Sequence, residues 1–513
     1  MPSDVRLHPA SLLFDLAKHL RNFAFPALLL LFGMSRSSES FPFPWLPTGG
    51  ELWLLVLLVP ALLASVARYL SFRLRYDADE LVIRSGLLFR NERHVPFSRI
   101  QNLDAVQNVF HRLFGVVEIR VETGGGKDEE ARLSVLPHVA FEEMRQRVFA
   151  NTAGEAQRAE TGAETNVRGT VLLHLPLGEV LLCGVLENKG LVIMGAAYGA
   201  LWETGFLDRF WARLFGSAEA FGRGFFRDLL ASLFTGTPLP LGRVALAAAA
   251  VTGFLVFARI LSMAWAFLRL FDFRLTRVDE DLRAEYGLLT RVTATIPIRR
   301  LQTITIRAGP LYRWLKRATV RVQTAGGAKS EPNATRDRES LAPIIRVQAL
   351  PGLLGEIVPG FDLGAVTWQP VHPRAFRRAL KPGLLFSAGA TLISAATIGW
   401  GSLGILILTL LWAWIGARQY VAHLRWAEHG DVVLMRSGWI WRQLTLARVN
   451  KIQVVSLHES PFDRRSAMAR IRVDTAGASE VSQRVDIPYL DRQIAAALAG
   501  RLAAQAASTA FRW

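Results

Sequence analysis

The sequence predicts an α+β membrane protein in which paired transmembrane helices alternate with three antiparallel β-barrels, each closed by a C-terminal helix. Three observations lead to this prediction. The apolar residues are gathered into six blocks, the polar segments between them repeat three times without a gap, and each repeat alternates apolar and polar residues at the period of a β-strand.

Composition excludes two classes of protein. Hydrophobic residues make up 51% of the 513-residue chain and charged residues 20%, whereas an intrinsically disordered chain needs low hydrophobicity and high charge. Cys183 is the only cysteine, so a disulfide-built secreted protein is excluded as well. The blocked distribution of the apolar residues favours a membrane protein over a soluble enzyme.

The six apolar blocks form three pairs along the chain. A membrane-spanning helix needs about 20 apolar residues, and adjacent amphipathic residues lengthen the shorter blocks to that size. Buried core helices of a soluble protein are the alternative, and six blocks at paired spacing argue against it. The blocks lie at about 23–34, 52–67, 181–202, 244–268, 383–400 and 403–417.

Basic residues predict the orientation. The connectors within the pairs hold only five of the 60 lysines and arginines, namely Arg36, Arg209, Arg213, Arg223 and Arg227. Since positive charge stays inside, the segments between pairs and both termini are expected on the cytoplasmic side. The sequence then divides as follows: 1–71, an interfacial helix and the first pair; 72–150, unit 1; 151–170, a polar linker; 171–272, the second pair with an outer interfacial loop at 203–243; 273–358, unit 2; 359–423, the third pair; 424–505, unit 3; and 506–513, a tail.

The repeat is held in register by short landmarks. A glycine between two strand-like runs recurs as Gly86, Gly287 and Gly438, which predicts a hairpin or bulge with positive φ. A basic residue and a glutamine recur two positions apart, as Arg99 and Gln101, Arg300 and Gln302, and Lys451 and Gln453. The glutamine is expected to satisfy a backbone group, with ligand contact as the alternative.

With these landmarks, the chain resembles bacterial membrane proteins of the YdbS/YdbT type, in their three-copy, YdbT-like form. The shared features are paired membrane helices followed by the patterns LxxRxGLLxR and R[IL]Q and an IRVxTAGG-like strand. The resemblance implies three pleckstrin-homology (PH)-like domains on a multi-pass protein of the bacterial cytoplasmic (inner) membrane. The third repeat departs from the pattern, because Trp439 and Trp441 replace the usual aliphatic residues.

Unit 2 carries the largest positive charge of the three repeats and is the predicted binding surface. Basic and aromatic residues suit an anionic membrane surface, because aromatic side chains lie at headgroup depth beside cations. The alternative is a helical turn that packs its aromatic residues inward and leaves the arginines in solvent. Nucleic acid is excluded as a partner, since no recognition motif is present. The candidates are Arg299, Arg300, Arg307, Arg313, Trp314, Lys316 and Arg317.

Ionisable residues inside the second pair form a separate hypothesis. Glu187 and Lys189 interrupt the third apolar block, and Arg259 lies inside the fourth. A Glu187–Arg259 pair in a polar cavity would indicate a transport path. The alternative is a helix that begins near Gly190, which leaves Glu187 and Lys189 at the interface.

Catalytic motifs are absent from the sequence. It contains no HExxH, CxxC or GxSxG, and the glycine-rich run ending at Lys127 lacks the spacing of a phosphate-binding loop. We therefore expect no enzyme activity, no cofactor and no metal site. The sequence predicts a membrane-anchored binding or scaffolding module for anionic lipid, a membrane-protein partner or itself. A transporter or lipid-handling protein acting near Glu187 and Arg259 is the alternative.

Overall fold

The computed structural model shows three repeated units joined through their β-sheets. It describes residues 7–17, 59, 62–63, 65–77, 80–86, 90–97, 100–123, 131–137, 140–141, 143–144, 169–202, 205, 209, 241–324, 340–475 and 485–508. The predicted helix at 23–34, most of the block at 52–67, the linker at 151–168 and nearly all of the outer loop at 203–243 lie outside these residues.

Unit 1 consists of two groups of three strands. Buried and half-buried residues alternate along strands such as the one that holds Leu74 and Tyr76. One face of the strand therefore packs into a core that also contains Phe141 and Met144. A short helix separates the fourth and fifth strands. The elements are β1 Arg73–Tyr76, β2 Glu80–Ser85, β3 Asn91–Pro96, β4 Ile100–Gln107, α1 Val109–Leu113, β5 Val116–Thr123 and β6 Ala131–Pro137.

Units 2 and 3 repeat this order and add a closing helix that the structure describes. In unit 2 the elements are β7 Thr170–His174, β8 Arg274–Val278, β9 Asp281–Tyr286, β10 Arg291–Pro297, β11 Leu301–Ala308, α5 Pro310–Trp314, β12 Arg317–Thr324, β13 Ser340–Arg346 and α6 Leu350–Ile357. In unit 3 they are β14 Gln369–Pro370, β15 Arg425–His429, β16 Val432–Ser437, β17 Arg442–Arg448, β18 Ile452–His458, α9 Pro461–Arg464, β19 Met468–Thr475, β20 Val485–Asp491 and α10 Arg492–Ser508.

The sheets pass from one unit into the next, which differs from the prediction of three β-barrels, each closed by a C-terminal helix. β4 of unit 1 pairs with β10 of unit 2, and β11 of unit 2 pairs with β17 of unit 3, so each seam lies inside a seven-stranded sheet. Ala105 lies opposite Thr293 in the first seam, and the equivalent Ile306 lies opposite Leu444 in the second. The two seams therefore share one register, and a closed barrel is not what the described strands form.

The recurring glycine lies in the hairpin between the second and third strands of each unit, as predicted. Gly86, Gly287 and Gly438 all have positive φ, from 87° to 112°. A Cβ atom at Gly287 or Gly438 would overlap the carbonyl oxygen of Thr290 or Trp441 across the turn. Only glycine fits this backbone without strain.

The apolar helices lie beside units 2 and 3. The described helices are α2 Leu177–Leu186, α3 Lys189–Trp202, α4 Leu241–Leu270, α7 Ala375–Ile398 and α8 Ser402–His423. Two segments of the described chain are long and apolar enough to cross a membrane, Val244–Leu270 and Gly399–His423, and the bent pair α2–α3 would make a third. The predicted three pairs of transmembrane helices are therefore not confirmed, although α7 packs along α8 where Gly383 approaches Ala413.

The predicted helix at 181–202 is broken in the structure. α2 and α3 meet at an angle of 59°. α2 buries Val180, Cys183 and Leu186 in the core of unit 2, and Gly184 packs against Met263 of α4. α2 therefore joins unit 2 to a membrane helix.

Candidate functional site

The recurring glutamine forms a β-bulge at the start of the fourth strand in all three units. Ile100 and Asn102 oppose consecutive residues of β5, so Gln101 is the extra residue, and Gln302 and Gln453 occupy the same position in β11 and β18. A bulge bends its strand and increases the twist. Gln302 is buried, and its amide donates to the Arg300 carbonyl at 3.4 Å, a geometry that supports the backbone role.

The basic residues of the same triplets lie at the corner where the chain passes from one sheet to the next. Arg300 donates to the carbonyl oxygen of Ile100 in unit 1 at 3.0 Å. Burial, together with the neighbouring charge of Arg299, lowers the pKa of Arg300 to about 10. Burial likewise lowers the pKa of Lys451, with Arg448 and Arg299 adding repulsion. Arg99 lies outside the described residues.

The arginines that are close in sequence separate in space. Arg299 and Arg300 precede β11, whereas Arg313, Trp314 and Lys316 follow it. β11 has eight residues, so at about 3.3 Å a residue the two groups lie about 25 Å apart. Arg307 is the next-to-last residue of β11, so it lies near the end of the strand that leads to α5. The basic and aromatic residues that were predicted to form one binding surface therefore lie in two groups, at opposite ends of unit 2.

The end that holds α5 exposes large apolar side chains. Trp314 is 80% exposed and Leu311 is 47% exposed. Arg313 and Lys316 flank them, and Lys316 ends the turn in the left-handed region at φ 53°. Of the two aromatic residues of this helical turn, Trp314 faces outward and Tyr312 is half-buried. Burial raises the pKa of Tyr312.

The equivalent turns of units 1 and 3 present similar residues. In α1, Phe110 and Leu113 are exposed, Leu113 by 76%. In α9, Phe462 is exposed and carries the ammonium of Lys381 over its ring at 4.6 Å. We call the exposed apolar residues of these three turns, with the tryptophans of the unit 3 hairpin, the rim: Val109, Phe110, Leu113, Phe114, Leu311, Trp314, Trp439, Trp441 and Phe462.

The rim lies against the apolar helices. The backbone N–H of Leu288, at the tip of the β9–β10 hairpin, donates to the Leu268 carbonyl of α4 at 2.9 Å. In unit 3 the ring of Trp439 lies 5.8 Å from that of Trp412, in the apolar part of α8. Trp441, 71% exposed, packs on Gly309 beside α5. Trp439 of the rim therefore lies next to a helix that can cross a bilayer, and the β9–β10 hairpin of unit 2 contacts a second such helix.

Arg317 turns away from the rim toward α2. Its guanidinium donates to both carboxylate oxygens of Glu179, at 2.9 and 2.6 Å. Arg346 of β13 approaches the same carboxylate at 3.4 Å. Both Glu179 and Arg317 are largely buried, so this bidentate pair fixes α2 to unit 2. Nothing in the sequence signals it, since the partners are 138 residues apart.

The predicted intramembrane residues meet at the break between α2 and α3. Arg259 of α4 donates to the backbone carbonyls of Val185 and Glu187, at 2.7 and 3.1 Å, and to the side chain of Asn188. Ser262 adds a hydrogen bond to the Glu187 carbonyl. Arg259 thus meets Glu187 through its backbone, where the bend leaves carbonyls without helical partners. Lys189 starts α3 and is exposed.

Arg259→Ala is expected to destabilise the protein far more than Glu187→Ala. Removing Arg259 leaves the Val185 carbonyl without this donor and the Glu187 carbonyl with Ser262 alone, at a cost of about 2–3 kcal/mol. The Glu187 side chain, in contrast, can be lost for about 1 kcal/mol or less. Detergent-titrated unfolding followed by circular dichroism measures both. Lys189→Ala is the matched control. Equal losses for Arg259 and Glu187 would show that the carboxylate takes part, as a polar cavity requires.

Among the described residues, no group of three histidine, cysteine, aspartate or glutamate side chains could hold a metal ion. Trp441 of the rim and Glu179, the partner of Arg317, were not assigned to a candidate site from the sequence. The departure of Trp439 and Trp441 from the repeat pattern was the one available signal.

Comparison with known proteins identifies the repeats. Residues 26–152, 228–349 and 375–506 match the bacterial PH domain family. The UPF0699 transmembrane protein YdbT of Bacillus subtilis (strain 168) is 23% identical over 502 residues, which cover 94% of this chain and 95% of that protein. No solved structure matches. The predicted resemblance to the YdbT-like, three-copy form is confirmed.

Proposed function

The chain belongs to the bacterial PH domain family, and from that premise we propose that it is a non-catalytic membrane protein that binds anionic lipid headgroups through its rim. The observation that carries the proposal is the outward-facing Trp314, 80% exposed beside Arg313 and Lys316. Tryptophan with flanking cations is the combination found at the headgroup level of membranes. In this proposal the units lie on the cytoplasmic side of the bacterial inner membrane.

The position of the rim supports a lipid over a soluble ligand. A soluble anion needs cations but no exposed apolar side chains, whereas here the apolar rim lies next to Arg313 and Lys316. One rim residue, Trp439, also packs against Trp412 of α8. Each basic residue near an anionic surface contributes about 1 kcal/mol. The tip of the unit 3 hairpin reaches Trp412 of α8, which lies about 16 Å along the helix axis from the last residue, His423. In this proposal the rim therefore lies alongside the apolar part of α8, within reach of lipid, and not beyond the end of the helix.

The first test measures the depth of the rim. Leu311→Cys and Arg299→Cys, each in a Cys183→Ala chain and labelled with a fluorophore, are placed in lipid nanodiscs that contain a quencher on the upper acyl chain. We expect quenching at 311 and little at 299, because β11 separates them by about 25 Å. Equal quenching, or none at 311, would contradict the assignment of the rim to the membrane.

The second test measures charge. Arg313→Gln with Lys316→Gln should weaken the affinity of the purified full chain for a short-chain anionic phospholipid by about 2 kcal/mol, roughly 30-fold. The matched control, Arg299→Gln with Lys451→Gln, removes the same net charge at the other end of the strands. If the control weakens binding equally, the lipid binds elsewhere or responds only to net charge.

The transport alternative has less support in the geometry. A transport path needs polar groups that are free to exchange partners with a cargo. Arg259 donates to the backbone acceptors of the α2–α3 break, and the Glu187 carboxylate contacts the Cys183 thiol at 3.9 Å. These contacts stabilise a bend in the chain, so we place the function at the rim.

A further inference from the structure

The fourth strand of unit 3 has an open edge where its equivalents are covered. β4 pairs with β10 and β11 pairs with β17, in both cases with a strand of the following unit. β18 is the equivalent strand of unit 3, and among the described strands it pairs with β19 alone. Among the described strands, β18 therefore has no partner on the edge that both of its equivalents use to bind a neighbour.

The composition of β18 resembles that of a strand that pairs with neighbours on both of its edges. In β11 the first six residues are buried, whereas in β18 Val454 is 55% and Leu457 is 41% exposed. Exposed edges are ordinarily protected by charged residues, proline or bulges within the strand, or by a covering helix. α10 packs with Ile452 and Val455 in the core of unit 3, and this packing leaves Val454 and Leu457 exposed. β18 carries no lysine, arginine, aspartate, glutamate or proline, and its bulge at Gln453 is also present in the covered β11.

The matching edge lies at the other end of the same chain. β3 of unit 1 is equivalent to β10 and β17, the strands that fill the two seams. In the described structure it pairs only with β2. Four of its six residues are exposed, whereas four residues of β10 are buried. Each chain thus presents one half of a seam at each end.

We propose that a second copy of this chain docks its β3 on β18, continuing the antiparallel seam from one molecule to the next. The register common to both internal seams places Val454 opposite Val95, Ser456 opposite Arg93 and Leu457 opposite Glu92. The same register brings Arg90 beside Glu459. A heterologous contact of this kind produces rings or open chains of molecules.

The charges of β3 are compatible with this contact. Glu92 pairs with Arg84 at 2.8 Å, and His94 pairs with Glu80 at 2.8 Å. These contacts raise the pKa of His94, and the hydrogen bond from Arg84 lowers the pKa of Glu92. The network therefore brings little net charge to the contact. The unit 1–unit 2 seam already accommodates polar residues such as Thr293.

The geometry is also compatible with a shared membrane. In both internal seams, the joined units keep their rims at the same end, since α1 and α5 each lie beside the hairpin of the next unit through Arg112–Leu288 and Gly309–Trp441 contacts. A third seam of the same register places the second molecule in the same orientation. Self-pairing of two β18 strands as an antiparallel pair would instead invert one molecule.

Disulfide cross-linking of full-length chains tests the proposal. Two differently tagged chains, both Cys183→Ala, carry Ser456→Cys in one and Arg93→Cys in the other, and are co-expressed in membranes. Directly opposed residues of antiparallel strands lie about 4.5–5.5 Å apart, within the range of a disulfide. The matched control replaces Arg93→Cys by Arg84→Cys on β2, one strand and about 4.8 Å farther away.

The expected result is a disulfide-linked species containing both tags, with little from either single variant alone or from the Arg84 control. Val454→Lys, which places a charge on the edge, should reduce this species roughly tenfold. Absence of the mixed species while both chains are folded and membrane-inserted would overturn the proposal. Cross-linking of Ser456→Cys chains to one another would overturn it too, because it requires a different pairing. The headgroup assay of the rim is independent of both outcomes.

Discussion

Gly190→Ala is expected to lower the free energy of unfolding by about 3 kcal/mol or more, one of the largest effects of any methyl group added to this chain. A Cβ atom at Gly190 would overlap the carbonyl oxygen of Ala258 and lie 3.0 Å from the Ser262 nitrogen. Both obstacles are backbone atoms of α4, so no side-chain rotation relieves them. The same helix surface holds Arg259, which caps the break between α2 and α3.

Two other glycines of α3, the helix that contains Gly190, provide the matched control. Gly195 and Gly199 have nothing within 4 Å of a built Cβ. Alanine favours a helix over glycine by about 1 kcal/mol, so Gly195→Ala and Gly199→Ala should be neutral or stabilising. Thermal or detergent unfolding of the three variants, followed by helical circular dichroism, makes the comparison. A neutral Gly190→Ala would show that α3 does not cross α4 at this point.

The repeat pattern predicted the local structure of the units well. Gly287 and Gly438 lie in positive-φ hairpins because a non-glycine residue would collide with its own turn, and this constraint is written in the sequence. The glutamine was predicted to satisfy a backbone group, and Gln302 donates to the Arg300 carbonyl, but its place in a β-bulge was not predicted. The apolar runs of α4 and α8 were equally visible, since length and hydropathy alone define them.

The pairing between units could not be read from the sequence. A strand such as β11 alternates in the same way whether its neighbour belongs to its own unit or to the next one. The basic cluster was misleading for a related reason. Arg300 and Arg313 are close in sequence, yet a strand of eight residues lies between them and sends them to opposite ends of the unit. The sequence showed the interruption at Glu187 and Lys189, but not that helices continue on both sides of it at an angle to each other.

Glu179→Ala should cost about 3 kcal/mol and loosen the attachment of α2 to unit 2. Glu179 and Arg317 keep only 12% and 18% of their side-chain surface exposed. Without the carboxylate, Arg317 and its cross-strand neighbour Arg346 face each other as like charges. Arg317→Ala alone leaves Glu179 with the weaker contact from Arg346, so the double variant should be less destabilised than the sum of the singles.

The exposed pair of Arg277 and Glu356 in the same unit is the matched control, because it joins β8 to α6 at 2.8 Å with half of the carboxylate side chain in solvent. Glu356→Ala should cost under about 1 kcal/mol. Urea or detergent unfolding of the full chain gives both values. If Glu179→Ala behaves like Glu356→Ala, α2 is held to unit 2 by the apolar contacts of Val180 and Leu186 alone. If it is strongly destabilising, one ion pair couples the position of a membrane-contacting helix to the strand that follows the rim.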